Sequence, residues 1–228
     1  SDIAEVLVCM FGPTSDEYGL LHRGTRVRKM HSSYRSTFRT IGDTPVARVT
    51  RKNIIPIKNE YLHRRKDKNV ELYPFFSEKA TMLYYYPGMK PDVMFAMIDA
   101  GYKGIVIVGT GLGHVNKELY PAIVKAKEEG VSVFMVVQTI WGYVHMFVYD
   151  TGRDMMAKGV VPLGNMLPET AYIKLGWVLG QTEDPAEVKK MMLKPICSDI
   201  TEREPYNGYL VLQGGVPEVE EFIRKVHK

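Results

Sequence analysis

The stretch IVIVGTGLGHVNKELYPAIV, Ile105–Val124, sets an apolar run against a glycine-rich turn and then a helix-like pattern. Ile105 to Val108 are all β-branched, as in a strand buried on both faces. Downstream, Lys117 to Glu129 reads as a helix closed by Gly130, and Val131 to Val137 as another strand. Upstream, Pro91 to Ala100 is predicted helical, with proline in its first turn and Gly101 just past its end. The run TMLYYY before it predicts a strand. Strand–helix–strand–helix–strand implies an α/β fold with a parallel sheet flanked by helices. Further helices are expected over Asp154–Lys158, Pro168–Leu179 and Asp184–Leu193, then a strand over Tyr209–Gln213 and a helix over Pro217–Val226.

The turn is not a nucleotide loop. A dinucleotide fingerprint needs G-x-G-x-x-G, but Gly109, Gly111 and Gly113 give G-x-G-x-G, and His114 holds the third glycine's place. The acidic residue expected about 20 positions on would fall at Glu128–Glu129, inside a helix. A loop leaving the carboxyl end of a parallel strand is nonetheless where open α/β sheets put their ligands. His114 is therefore a candidate crevice residue; the alternative is a helix-start histidine bonded locally.

The front of the chain reads differently. Ala4–Met10 predicts a strand, Leu20–Val27 a second strand with a turn, and Ser33–Thr40 a short helix. Val46–Val49 alternates like an edge strand, and Ile54–Ile57 predicts another. Asn59–Asn69 (NEYLHRRKDKN) is polar and basic with no apolar period, a surface loop. Two domains follow, 1–78 and 79–228. A core strand opening at once suggests the back part of something longer. At 228 residues and 45% apolar content, a sizeable core needs no disulfide staple. Cys9 and Cys197 are far apart, without metal-ligand spacing, so two free thiols in a cytoplasmic chain are expected. No apolar run is long enough to cross a bilayer. A net charge of +4 is too mild to argue for nucleic acid by itself.

Three stretches together resemble the L-asparaginase/glutaminase amidohydrolase family. They are Thr25–Ser33 with Phe38 nine positions after Lys29, Ala100–His114, and Gly159–Ala171 running into Lys174–Trp177 and Gly180–Thr182. The resemblance implies that residues 1–78 are the end of the larger N-terminal α/β domain plus a linker. Residues 79–228 would then form the smaller C-terminal domain. A narrower likeness, carried by His22–Ser33 and Gly111–Val115, is to the ammonia-releasing subunits of archaeal tRNA-dependent amidotransferases. It implies ammonia release from an amide donor for a partner, the E-type subunit of the amidotransferase. That partner carries ATP and Mg, meets the tRNA and converts glutamate on misacylated tRNA to glutamine. No cofactor is expected in this chain.

The family's nucleophile is a threonine in a Thr-Gly-Gly-Thr-Ile-type strand end, supported by an Asp-Gly-Thr-Asp-Thr motif, and neither occurs here. The missing half of the domain is expected to come from elsewhere, leaving this chain inactive alone. Lys29 occupies the family's lysine position, which implies a base or orienter for the threonine; by charge alone it is one cation in a run with Arg23, Arg26 and Arg28. In this family the C-terminal domain completes a neighbour's pocket across a dimer. His114 stands where many asparaginases have asparagine, and Tyr149 after strand-like Val144–Val148 is a second candidate pocket residue. Two other readings remain: a stand-alone asparaginase, or a non-catalytic dimerisation and docking module whose basic loop (Arg64, Arg65, Lys66, Lys68) touches tRNA.

Overall fold

The computed structural model describes residues 1–12, 17–35 and 37–205. The strand expected over Tyr209–Gln213 and the helix over Pro217–Val226 lie outside the described residues. The chain divides into two units, Ser1–Val70 with residues 203–205, and Glu71–Glu202. Residues 71–78 thus group with the parallel sheet.

The first unit is antiparallel. Strands β1 (Leu7–Phe11), β2 (Tyr18–Arg23), β5 (Ala47–Thr50) and β6 (Ile54–Pro56) form one sheet in the order β1-β2-β5-β6. Strands β3 (Val27–Lys29) and β4 (Phe38–Thr40) form a separate two-stranded ribbon. The helix expected over Ser33–Thr40 is not there: Phe38–Thr40 pairs antiparallel with Val27–Lys29, and cross-strand pairing outweighs local preference. Nor is β5 an edge. It is bonded to β2 on one side and β6 on the other, and the edges are β1 and β6.

The interior of this unit is mixed: Leu20, Ile41, Val46 and Ala47 are buried there together with His22, Arg23, Arg26 and Asp43. Arg23 donates to Glu5 at 2.6 and 2.9 Å and to Asp43 at 2.9 Å, and Lys58 reaches Asp43 at 2.5 Å. Burial pushes the Glu5 carboxyl up, but the Arg23 guanidinium and the Leu62 N–H outweigh it and hold the carboxyl below its usual range. Burial also lowers Lys58, and here its Asp43 partner does not fully compensate. His22 is fully buried, with Nδ1 2.9 Å from Thr40 Oγ1. Desolvation, aided by the charge on Arg39, lowers its pKa from 6.5 to about 4.

The second unit is the expected α/β layer. Strands β7 (Ala80–Tyr84), β8 (Gly104–Gly109), β9 (Ser132–Val137) and β10 (Val161–Pro162) run parallel in the order β10-β9-β8-β7. Helices α1 (Asp92–Asp99), α2 (Tyr120–Glu128), α3 (Asp150–Ala157), α4 (Pro168–Gln181) and α5 (Pro185–Leu193) cover it. Alternation along the strands makes two cores. Ile105, Ile107, Val133 and Met135 pack with Met94, Ile98, Ile123 and Met155 from α1, α2 and α3. Val106, Val108, Phe134 and Val136 pack with Leu175, Val178, Val188 and Met192 from α4 and α5. Each such side chain, fully buried, stabilises by about 1.5–3 kcal/mol.

The boundaries shift by local chemistry. The helix expected from Lys117 opens as a 3-10 turn over Lys117–Leu119 and becomes α-helical at Tyr120, with Pro121 in its first turn. Helix α3 starts at Asp150, four residues before the expected Asp154. Trp177 is half-buried on α4, its indole N–H donating to Tyr73 O at 3.3 Å, while Ile173 is exposed rather than on the apolar face. Among the described residues no helix is long and apolar enough to cross a membrane.

Candidate functional site

The glycine turn leaves the carboxyl end of β8 and folds back on itself. Thr110 and His114 form an isolated bridge, each N–H donating to the other's carbonyl at 2.9 Å. Two glycines are required for this. A Cβ on Gly109 would lie 2.9 Å from His114 N, and Gly113 sits at φ +97° with a Cβ position 2.8 Å from Val144 Cγ1. His114 thus stands in a closed loop, bonded locally to Thr110 and three residues before the 3-10 turn begins.

The His114 ring is held on two sides. Nδ1 lies 3.3 Å from Thr151 Oγ1, and the ring meets Tyr149 edge-on at 5.4 Å between centroids. The structure therefore brings His114 and Tyr149 together. Val144–Val148, expected to be strand-like, joins no strand ladder among the described residues, though Val144 N–H donates to Gly164 O and His145 N–H to Leu112 O, each at 2.9 Å. The third side of the imidazole is open: Nε2 is buried without a hydrogen-bond partner. Desolvation lowers its pKa, against the opposing charge of Asp150, which favours the neutral ring. In the tautomer whose Nδ1 accepts from the Thr151 hydroxyl, Nε2 is an unused donor; in the other, Nδ1 donates and Nε2 is an unused acceptor.

Asn116, two residues on, supplies the complement. It stands at the N-cap of the 3-10 turn yet makes no capping bond, and its Oδ1 is buried without a partner. Buried polar atoms are nearly always satisfied, so these two atoms of one loop are open to hydrogen bonds from a water or a ligand. A carboxamide or an amino acid head, offering both a donor and an acceptor, suits them. The sequence reading missed Asn116 because asparagine before a helical turn reads as a cap. It missed Thr151 because that residue reaches His114 only through the fold.

Lys29 belongs to the first unit. It ends β3 opposite Phe38, and its side chain is exposed. Its backbone neighbourhood is fixed: Met30 N–H donates to Thr37 O at 2.8 Å, His31 N–H to Thr37 Oγ1 at 2.7 Å. Among the described residues no group of three or more His, Cys, Asp or Glu is placed to hold a metal ion, and Cys9 and Cys197, both exposed, form no disulfide.

Comparison with known proteins now decides the family. Residues 79–192 match the glutaminase/asparaginase C-terminal domain, and residues 1–61 the N-terminal asparaginase domain. The chain belongs to the glutaminase/asparaginase family. It is 48% identical to the D-type subunit of the glutamyl-tRNA(Gln) amidotransferase of Thermococcus kodakarensis, over 92% of this chain and 48% of that protein. It is 46% identical to the corresponding protein of Pyrococcus abyssi over the same shares. The chain spans about half the length of the curated relatives it matches. Among solved structures, the thermostable L-asparaginase from Thermococcus kodakarensis is similar at TM-score 0.71 and 29% identity, covering 80% of this chain and 55% of that one. L-asparaginase I from Vibrio cholerae is similar at TM-score 0.72 and 26% identity, covering 85% and 57%. An asparaginase-like arrangement of a parallel sheet flanked by helices, beside antiparallel sheets, is thus the fold of this family member.

Proposed function

We propose that this chain is the rear portion of the ammonia-releasing subunit of a tRNA-dependent amidotransferase, which serves the conversion of Glu-tRNA(Gln) to Gln-tRNA(Gln). The observation that carries the reading is the 48% identity to an amidotransferase subunit over 92% of the chain, against 29% to a solved L-asparaginase. In this reading the threonine comes from residues outside this sequence and the chain alone is inactive. An amide is a poor electrophile, and a threonine hydroxyl attacks it only when a base takes its proton. Lys29 is assigned that proton. The threonine oxygen bonds to the amide carbon, the carbon–nitrogen bond breaks, and the nitrogen leaves as ammonia once protonated; water then releases the acid and restores the hydroxyl.

Lys29 is exposed in this chain, open to a threonine supplied from outside this sequence. The orphaned Nε2 of His114 and Oδ1 of Asn116 support a substrate-binding role for the glycine turn, with Tyr149 lining it, across a homodimer. ATP and Mg stay with the E-type partner of the amidotransferase. The test adds a polypeptide bearing the threonine and Asp-Gly-Thr-Asp-Thr motifs to this chain and assays ammonia from glutamine and from asparagine. Glutaminase activity that rises with the E-type partner and misacylated tRNA supports the proposal. Free asparagine hydrolysis indifferent to both would make the protein a stand-alone asparaginase, and salt-dependent tRNA binding with no ammonia at all a docking module.

A further inference from the structure

The glycine turn lies at the carboxyl ends of the parallel strands. At the opposite, amino end a cavity of about 260 Å³ opens. Its floor is apolar: behind it lie the buried Ile123, Val131 and Val133, and Val161 of β10 with Pro185 and Ala186 of α5 give it the apolar surface that remains exposed. Three lysines from three different elements line it: Lys127 in the last turn of α2, Lys158 at the end of α3 and Lys189 in α5.

These three lysines differ from their neighbours. On the same helices, Lys125 pairs with Asp99 at 2.5 Å and Lys190 with Glu187 at 3.1 Å, and Lys117 approaches Asp154 of α3 at 4.0 Å. Lys127, Lys158 and Lys189 have no carboxylate partner among the described residues. Lys127 lays its stem on Gly159, itself a lining residue, and Lys158 Nζ sits 4.7 Å above the Tyr120 ring at the start of α2. The helix dipole accounts for cations at the ends of α2 and α3. It does not account for Lys189, in the body of α5.

We infer that this cavity binds an amphipathic anion: a compact apolar body that fills the floor, bearing a carboxylate, phosphate or sulfonate that the three lysines neutralise. The floor excludes a purely ionic ligand, because an inorganic anion would leave its apolar walls wet. The lysines disfavour a purely apolar one, because three cations without a carboxylate partner line the cavity. The inference is independent of the amidase chemistry, which belongs to the other end of the sheet.

The probes are 8-anilinonaphthalene-1-sulfonate, its uncharged counterpart N-phenyl-1-naphthylamine, and inorganic phosphate, titrated by fluorescence or competition into the full 228-residue chain. Saturable one-to-one binding of the sulfonate is expected, with phosphate competing only weakly. Replacing all three lysines by glutamine should weaken the sulfonate by about tenfold, since each exposed pair is worth a few-fold, and leave the uncharged probe within about twofold. Single Lys189→Gln should give a few-fold loss on its own. Ala186→Trp, which fills the cavity from the α5 side, should weaken both dyes. The inference is overturned if the sulfonate fails to saturate, if the triple variant binds it as the parent does, or if charged and uncharged probes weaken equally in that variant.

Discussion

In the first unit Arg23, Arg26, His22, Thr40 and Asp43 are buried while Ile54, Ile55 and Ile57 on and beside the β6 edge stand about half exposed. In the second unit both faces of the sheet are dry, and Asn165, Lys174 and Asp199 are the buried polar side chains there among the described residues. Each of those three is satisfied by close partners: Lys174 Nζ donates to Met192 O, Lys194 O and Asp199 Oδ2, and Asn165 bonds Thr201. Apolar burial dominates in the second unit, whereas in the first it is joined by a buried ionic network. The same perturbation should therefore act differently on each. Removing one ion from a buried pair strands its partner, whereas removing a methylene group costs only area and a cavity.

The largest expected effect tests the ionic side. Arg23→Ala leaves Glu5 and Asp43 without their guanidinium and should destabilise the first unit by about 3–5 kcal/mol. Hydrogen exchange should show β2 and β5 amides losing protection while β8 and β9 amides keep theirs. Equal loss in both units would show that the division is not energetic. The matching change in the second unit is Leu175→Ala. Leu175 is fully buried and lies against Gly104, so about 2–5 kcal/mol should be lost, with protection now falling in β8 and β9.

Acid sharpens the contrast. The pKa of His22 is lowered to about 4 in the fold against 6.5 unfolded, so the unfolded chain binds the proton more readily between those values. His22 is without penalty above about pH 6.5, and its stabilising margin is lost as pH falls through 6.5 toward 4, by roughly 3 kcal/mol. Glu5 and Asp199, both held below their usual range, lose their contributions at lower pH still. Denaturation midpoints of the parent and His22→Asn at pH 7 and pH 5 isolate the histidine. A parent no more acid-sensitive than the variant would mean that His22 is not desolvated.

How much of this was legible depends on what each residue needs. Strands β8 and β9 could be read because an apolar run buried on both faces leaves few other readings, and α1 because Pro91 and Gly101 bracket it. Ser33–Thr40 could not, because its polar residues reveal nothing of the partner strand β3. Val46–Val49 alternates as an edge would, but its neighbours are chosen by the sheet and not by its own residues. His114 was visible from the glycines around it. Its partner Thr151 is 37 positions away, an ordinary threonine until the loop closes. The role given to Lys29 came from resemblance alone, since neither charge nor spacing separates it from Arg26 and Arg28.

The smallest expected effect has the opposite sign. Asn116 Oδ1 has no partner to lose, so Asn116→Ala should leave the second unit's stability within about 0.5 kcal/mol of the parent, or raise it, because an unsatisfied buried acceptor is removed. If the loop is prepared for substrate, the reconstituted amidase should meanwhile bind its amide donor more weakly, as KM rises. His114→Ala should behave alike, at a slightly greater cost in stability from the lost Tyr149 and Thr151 contacts. A stability loss above about 1 kcal/mol in Asn116→Ala would assign that side chain to the scaffold and leave His114 alone to recognise the substrate. Stability kept and KM raised would identify the two orphaned atoms as a single binding element, a place in the second unit where burial is spent on something other than the fold.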